Sequence, residues 1–192
     1  MNLKLIIAIL LISLLSFTMQ WWQSDFLYIR ESVNQGEWWR IITGQLVHTN
    51  WPHYILNVGS LILFALLFYI TISTRTFTIS LFLLVISIGT CLHLFEPTIY
   101  WYAGLSGAIY GIYLIGAYTA YLANDKFIAI SIAILIIGKA IFDHWYGPIY
   151  NNSELIEARV VTESHLYGIA SATVLCGLDS LYRLFKPIKS KA

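Results

Sequence analysis

Six apolar stretches, each close to the length a helix needs to cross lipid, constrain this chain more than any other feature. They run approximately over residues 3–19, 52–72, 77–95, 106–123, 127–142 and 164–185. A hydrocarbon core about 30 Å thick takes about 20 helical residues, and only helices or closed barrels satisfy every backbone polar group inside it. Charged residues make up 11% of the chain, less than half of the roughly 25% usual in a soluble domain. The expected fold is therefore an all-α membrane protein, a bundle of six transmembrane helices forming one domain over residues 1–192.

The first stretch has Lys4 ahead of an apolar run, as a secretory leader would. It leads straight into Gln20-Trp21-Trp22, an interfacial aromatic anchor with no small-residue cleavage site, and so is read as a retained helix. With Lys+Arg 11 against Asp+Glu 10 and no basic run, an electrostatic attraction for nucleic acid is not expected. Cys91 and Cys176 both lie in apolar stretches and read as buried thiols.

Six spans fix the side of every loop once the first is chosen. An inside N-terminus puts Lys4, Arg75, Lys126, Arg183, Lys186, Lys189 and Lys191 in the cytoplasm and Arg30, Arg40 and Arg159 outside, with Lys139 inside a span. The excess of inner cations favours both termini inside. The acidic residues Asp25, Glu31, Glu37, Glu96, Asp143, Glu154, Glu157 and Glu163 then fall in outer loops, the last long loop being read as Asp143–Glu163.

Polar side chains in spans are costly, which makes those that face a bundle interior candidates for function. His53 and Asn57 open the second span, Ser106 the fourth and His165 the sixth. All three spans descend from the outer face in this topology, so these residues share one depth.

Around the serine the sequence reads Gly104-Leu105-Ser106-Gly107, where glycines allow close approaches at a loop-to-helix junction. Free N–H groups at that helix start would suit a developing oxyanion. An imidazole is the usual acceptor of a serine proton, because its pKa lies near working pH. His53 and Asn57, four residues apart, share a helix face and present two donors. Each feature also has a structural alternative: Ser106 as an N-cap, the glycines as packing residues, and His53, Asn57 and His165 as interhelical hydrogen-bonding groups. With no Asp or Glu beside them in the spans, a catalytic arrangement would be a Ser-His dyad, and Asp143 and Glu163 in the acidic loop are poor candidates for a buried orienter.

The combination resembles the rhomboid family of intramembrane serine proteases over nearly the whole chain. The family's Trp-Arg pair in the long first loop is matched by Trp39-Arg40, and its histidine-rich entry to the second helix by His48 and His53-Tyr54-Ile55-Leu56-Asn57. Its G-x-S-G with tyrosine four residues on is matched by Ser106 and Tyr110, and its sixth-helix histidine with glycine three residues on by His165 and Gly168. Two departures stand in the sixth helix: Ser164 replaces a usual alanine and Ala172 a usual second glycine.

This resemblance implies Ser106 as nucleophile and His165 as general base. His53, Asn57 and the Ser106 N–H would form the oxyanion hole, with Tyr110 packed beneath His165, Gly104 shaping the loop, Gly107 and Gly168 allowing close packing, and His48 stiffening the first loop. No metal or cofactor is implied, and the histidines lack HExxH spacing. The segment His48-Thr49-Asn50-Trp51-Pro52-His53 is similar to rhombosortases, although Tyr110 stands where that branch often carries histidine. That similarity implies a bacterial inner-membrane enzyme acting near the periplasmic face on membrane-anchored substrates with C-terminal Gly-Gly tails. The alternative is an inactive rhomboid-like chaperone or sorting factor.

Overall fold

Long apolar runs bounded by polar caps each fold into one helix. The computed structural model describes residues 2–147 and 152–185. Its elements in chain order are α1 (Leu3–Gln20), α2 (Gln23–Phe26), β1 (Tyr28–Ile29), α3 (Arg30–Asn34), α4 (Arg40–Thr43), α5 (Trp51–Phe68) and α6 (Thr74–Phe95). They continue with β2 (Trp101–Tyr102), α7 (Ser106–Leu122), α8 (Lys126–Tyr146), α9 (Asn152–Leu155) and α10 (Thr162–Phe185). The caps are legible locally: Asn50 accepts from the His53 N–H at the start of α5, Ser73 from Thr76 at α6 and Asp125 from Ile128 at α8. Lys186, Lys189 and Lys191, three of the cations counted toward orientation, lie outside the described residues.

Among the described residues α1, α5, α6 and α8 are long and apolar enough to cross a membrane. The other two long helices differ for physical reasons. α7 has 17 residues and is walled in by α5, α6, α8 and α10, so it needs small residues on its circumference more than apolar length. α10 has 24 residues and carries Glu163, Asp179 and Arg183.

The core lies where α7 meets its neighbours. Phe64, Phe68, Phe77, Leu84 and Ile88 are fully buried there, with Phe64 and Phe68 edged by Tyr113. α7 and α10 approach to backbone contact: a Cβ on Gly168 would stand 2.0 Å from the Gly107 carbonyl oxygen, and one on Gly107 would stand 2.7 Å from that of Ser164. Ala172 and Ser164, the two departures from the family pattern, are both fully buried in this seam, so each is small enough for it.

The fold is mostly helical, and a short strand pair, Tyr28–Ile29 antiparallel to Trp101–Tyr102, joins the first long loop to the segment ahead of Ser106. The structure corrects the bounds expected of the last long loop. Asp143 and Glu163 are not loop residues: Asp143 is the last buried residue of α8 and Glu163 lies in the first turn of α10. α8 continues past the apolar run because Asp143 is turned inward and paired through Oδ2, which lowers its cost in lipid.

The first loop is stitched by two arginines. Arg30 donates to the carbonyls of Leu92, His93, Glu96 and Ile99, capping the C-terminal end of α6. Arg40 pairs with Glu37 and donates to the carbonyls of Ser24 and Leu27.

Candidate active site

Ser106 is the first residue of α7, and its position follows from the two residues before it. Gly104 has φ +125, in the region that L side chains avoid, and a Cβ there would lie 2.6 Å from the His53 ring. Leu105 then enters the helix with no side chain capping the α7 N-terminus. The Ser106 hydroxyl therefore does not serve as an N-cap. It meets His165 instead, with Oγ 3.0 Å from Nε2 across 59 residues of sequence.

His165 is 5% exposed on α10, and its ring lies parallel to that of Tyr110, 4.2 Å away and tilted 8°. Its Nδ1 has no hydrogen-bonding partner among the described residues, so no carboxylate touches the imidazole there. His53 is buried on α5, where Thr49 Oγ1 lies 3.1 Å from its Nδ1. That contact leaves Nε2 toward the Gly104 backbone and the cavity. Asn57 is buried one turn on and donates to the His53 carbonyl at 3.0 Å, which uses one of its two amide hydrogens.

A cavity of about 180 Å³ opens between these groups, lined by Thr49, His53, Ser106, residues 98–103, Ile156, Arg159, Val160 and Val161. Its roof is the segment before α10, held down by Thr49 Oγ1 donating to the Ile156 carbonyl and Asn50 Nδ2 to that of Leu155. Ser106, His53 and Thr49 thus line a confined space of mixed side chains, with His165 reached through its contact to Ser106.

His48 sits behind His53, with the rings edge to face at 5.0 Å. Its backbone is clamped, the carbonyl accepting from Gln20 and Gln23 and the N–H donating to Gln20. Burial, and then the neighbouring His53, lower its pKa to about 3, so the ring is neutral at physiological pH.

Three site residues carry no weight in the sequence reading. Thr49 orients the His53 ring and ties down the roof. The buried Tyr102 hydroxyl donates to the Gly104 carbonyl at 2.7 Å and lies beside Ser106, Ser164 and the Gly107 N–H. Burial pushes its pKa up, which keeps it a neutral donor. Asp143, 2% exposed, pairs with Lys139 and accepts from the Tyr110 hydroxyl at 3.4 Å. The available signal for Asp143 was Lys139 one helical turn earlier in an otherwise apolar run.

Among the described residues no three His, Cys, Asp or Glu side chains gather as metal ligands would. What remains chemically is a hydroxyl against a buried imidazole, with backbone and side-chain donors nearby. A membrane-type helical bundle with such a pair at one end of its central helix defines the class. The Rhomboid domain family matches residues 35–180, and the chain belongs to that family, as a multi-pass membrane protein.

A protein of Bacillus subtilis (strain 168) named "Putative rhomboid protease YdcA" is 32% identical over 111 residues, covering 54% of this chain and 52% of that protein. The chain thus spans about half the length of this curated relative. No solved structure matches the chain.

Proposed function

We propose that this chain is a serine endopeptidase that cleaves transmembrane-helix substrates within the membrane through a dyad of Ser106 and His165. The observation that carries the reading is the 3.0 Å contact between Ser106 Oγ and His165 Nε2, made by two helices at the end of α7 where N–H groups are uncapped. Family membership and the protease named among its relatives support it.

All six long helices cross the bilayer in this reading, with both termini inside, as the positive-inside rule favours. A 17-residue helix is about 25 Å long, shorter than the roughly 30 Å hydrocarbon core. Ser106 therefore lies below the outer surface, and the cavity above it admits the water that hydrolysis needs.

The substrate helix unwinds locally and presents a peptide carbonyl to Ser106. His165 Nε2 takes the hydroxyl proton as Oγ bonds to the carbonyl carbon. The tetrahedral oxyanion is met by the Ser106 N–H, the second amide hydrogen of Asn57 and His53, whose Nε2 becomes a donor when the Thr49 hydroxyl turns its proton from the Ile156 carbonyl to His53 Nδ1. The C–N bond then breaks, the amine leaves with the proton from His165, and water attacks the acyl-enzyme by the same relay. No cofactor takes part. A Gly-Gly pair ahead of the substrate helix would ease the unwinding. Together with the His48–His53 segment, this supports tails of the rhombosortase kind as substrates in a bacterial inner membrane.

The test is cleavage in proteoliposomes of a substrate with a C-terminal Gly-Gly, apolar helix and basic tail. Wild type is expected to cut it, and Ser106→Ala and His165→Ala to leave it intact. Cleavage that survives both substitutions would overturn the assignment. Replacing Gly-Gly by Leu-Leu should slow cleavage, and equal rates would remove the proposed tail preference.

A further inference from the structure

α8 faces the bundle with few side chains; Ala129, Ala140 and Asp143 are its buried ones. A carboxylate among them is costly in lipid unless paired. Lys139, one turn earlier, provides the pair through Asp143 Oδ2, while its own side chain stays about 40% exposed. The same Oδ2 accepts from the Tyr110 hydroxyl on α7 at 3.4 Å, a long bond, and Lys139 interacts with that hydroxyl as well. Tyr110 in turn lies flat against the His165 ring.

His165 is held in the plane of its ring by one contact, to Ser106, because Nδ1 has no partner among the described residues. The tilt and height of the imidazole are set by the face of Tyr110, and the Tyr110 ring is held at its far end by an ion pair on a third helix. In serine hydrolases with a triad a carboxylate orients the histidine by touching it. Here a carboxylate is at hand but separated from the histidine by an aromatic ring.

We propose that Asp143, paired with Lys139, is a positioning residue that orients His165 through the Tyr110 hydroxyl. The inference rests on Ser106 and His165 acting as the dyad. It assigns Lys139 and Asp143, a charged pair in an otherwise apolar helix, to the alignment of the histidine.

The test is a double-mutant cycle of Asp143→Asn and Tyr110→Phe in liposomes. It reads the rate at which a fluorophosphonate labels Ser106, together with kcat and KM for a transmembrane substrate. Each single substitution should lower labelling rate and kcat by about tenfold, within the coupling range of contacting residues. KM should be unchanged, and the double variant should be no slower than either single one. Asp143→Glu, which keeps the charge, should recover part of the rate.

Independent, multiplying effects would overturn the proposal, as would a wild-type labelling rate in Tyr110→Phe, which leaves the ion pair in place and so tests the link even if Asp143→Asn folds poorly. Wild-type protein that cannot be labelled at Ser106 would sink the dyad reading itself, and this inference with it. Normal wild-type labelling with unaffected variants would sink only the role of Asp143.

Discussion

The buried Tyr102 hydroxyl lies beside Ser106, and its bond to the Gly104 carbonyl fixes the one residue of the loop with a left-handed φ. Tyr102→Phe keeps the ring and deletes that bond, for a loss on the order of 1 kcal/mol. Turnover should fall about fivefold with substrate affinity unchanged; equal turnover would show that Gly104 is held by its surroundings alone. His48 gives a pH prediction. Its pKa is about 6.5 in an unfolded chain and about 3 in the folded protein. Above pH 6.5 neither state is protonated and the ring costs nothing. As pH falls from 6.5 toward 3 the unfolded chain takes up a proton that the folded protein refuses, so stability declines. Thermal unfolding in detergent should occur at lower temperature at pH 5 than at pH 8, and His48→Phe should shrink that difference. An undiminished difference would assign it to other groups.

At the scale of elements, the α7–α10 seam and the first loop carry separate predictions. Gly168→Ala places a Cβ against the Gly107 carbonyl, a contact no side-chain rotation relieves. Pushing the two helices apart should cost about 1–3 kcal/mol and lengthen the Ser106–His165 contact. Both unfolding temperature and turnover should drop, and a variant that keeps wild-type turnover would contradict the alignment argument. Arg30→Ala strips donors from four carbonyls, two in the last turn of α6 and two just beyond it. Bonds to a charged group are worth about 1.5–3 kcal/mol each before partial replacement by water, so unfolding temperature should fall by several degrees.

The long helices were legible because lipid selects apolar length, and Ser106, His53 and His165 because polar groups opening such helices are conspicuous. Asp143 was misread for the same reason: a charge at the end of an apolar run looks like a loop until its partner Lys139 and its inward face are known. Arg30 and the strand pairing of Tyr28 with Tyr102 were not legible, since both depend on contacts more than 60 residues apart.

For the whole molecule, the proposed orientation and the proposed chemistry are one claim, because six spans with both termini inside would put Ser106, His53 and His165 at a single depth. With Cys91 and Cys176 replaced by alanine, a cysteine at Gln35 should react with an impermeant maleimide in intact spheroplasts, and one at Asn124 only after lysis. The reverse pattern would invert the protein and move the site to the cytoplasmic leaflet. The most direct measurement of the central claim is mass-spectrometric mapping of a fluorophosphonate adduct on the purified protein in liposomes. One adduct is expected, on Ser106, and it should disappear in both Ser106→Ala and His165→Ala. An adduct elsewhere, or labelling of Ser106 that persists undiminished without His165, would contradict the claim.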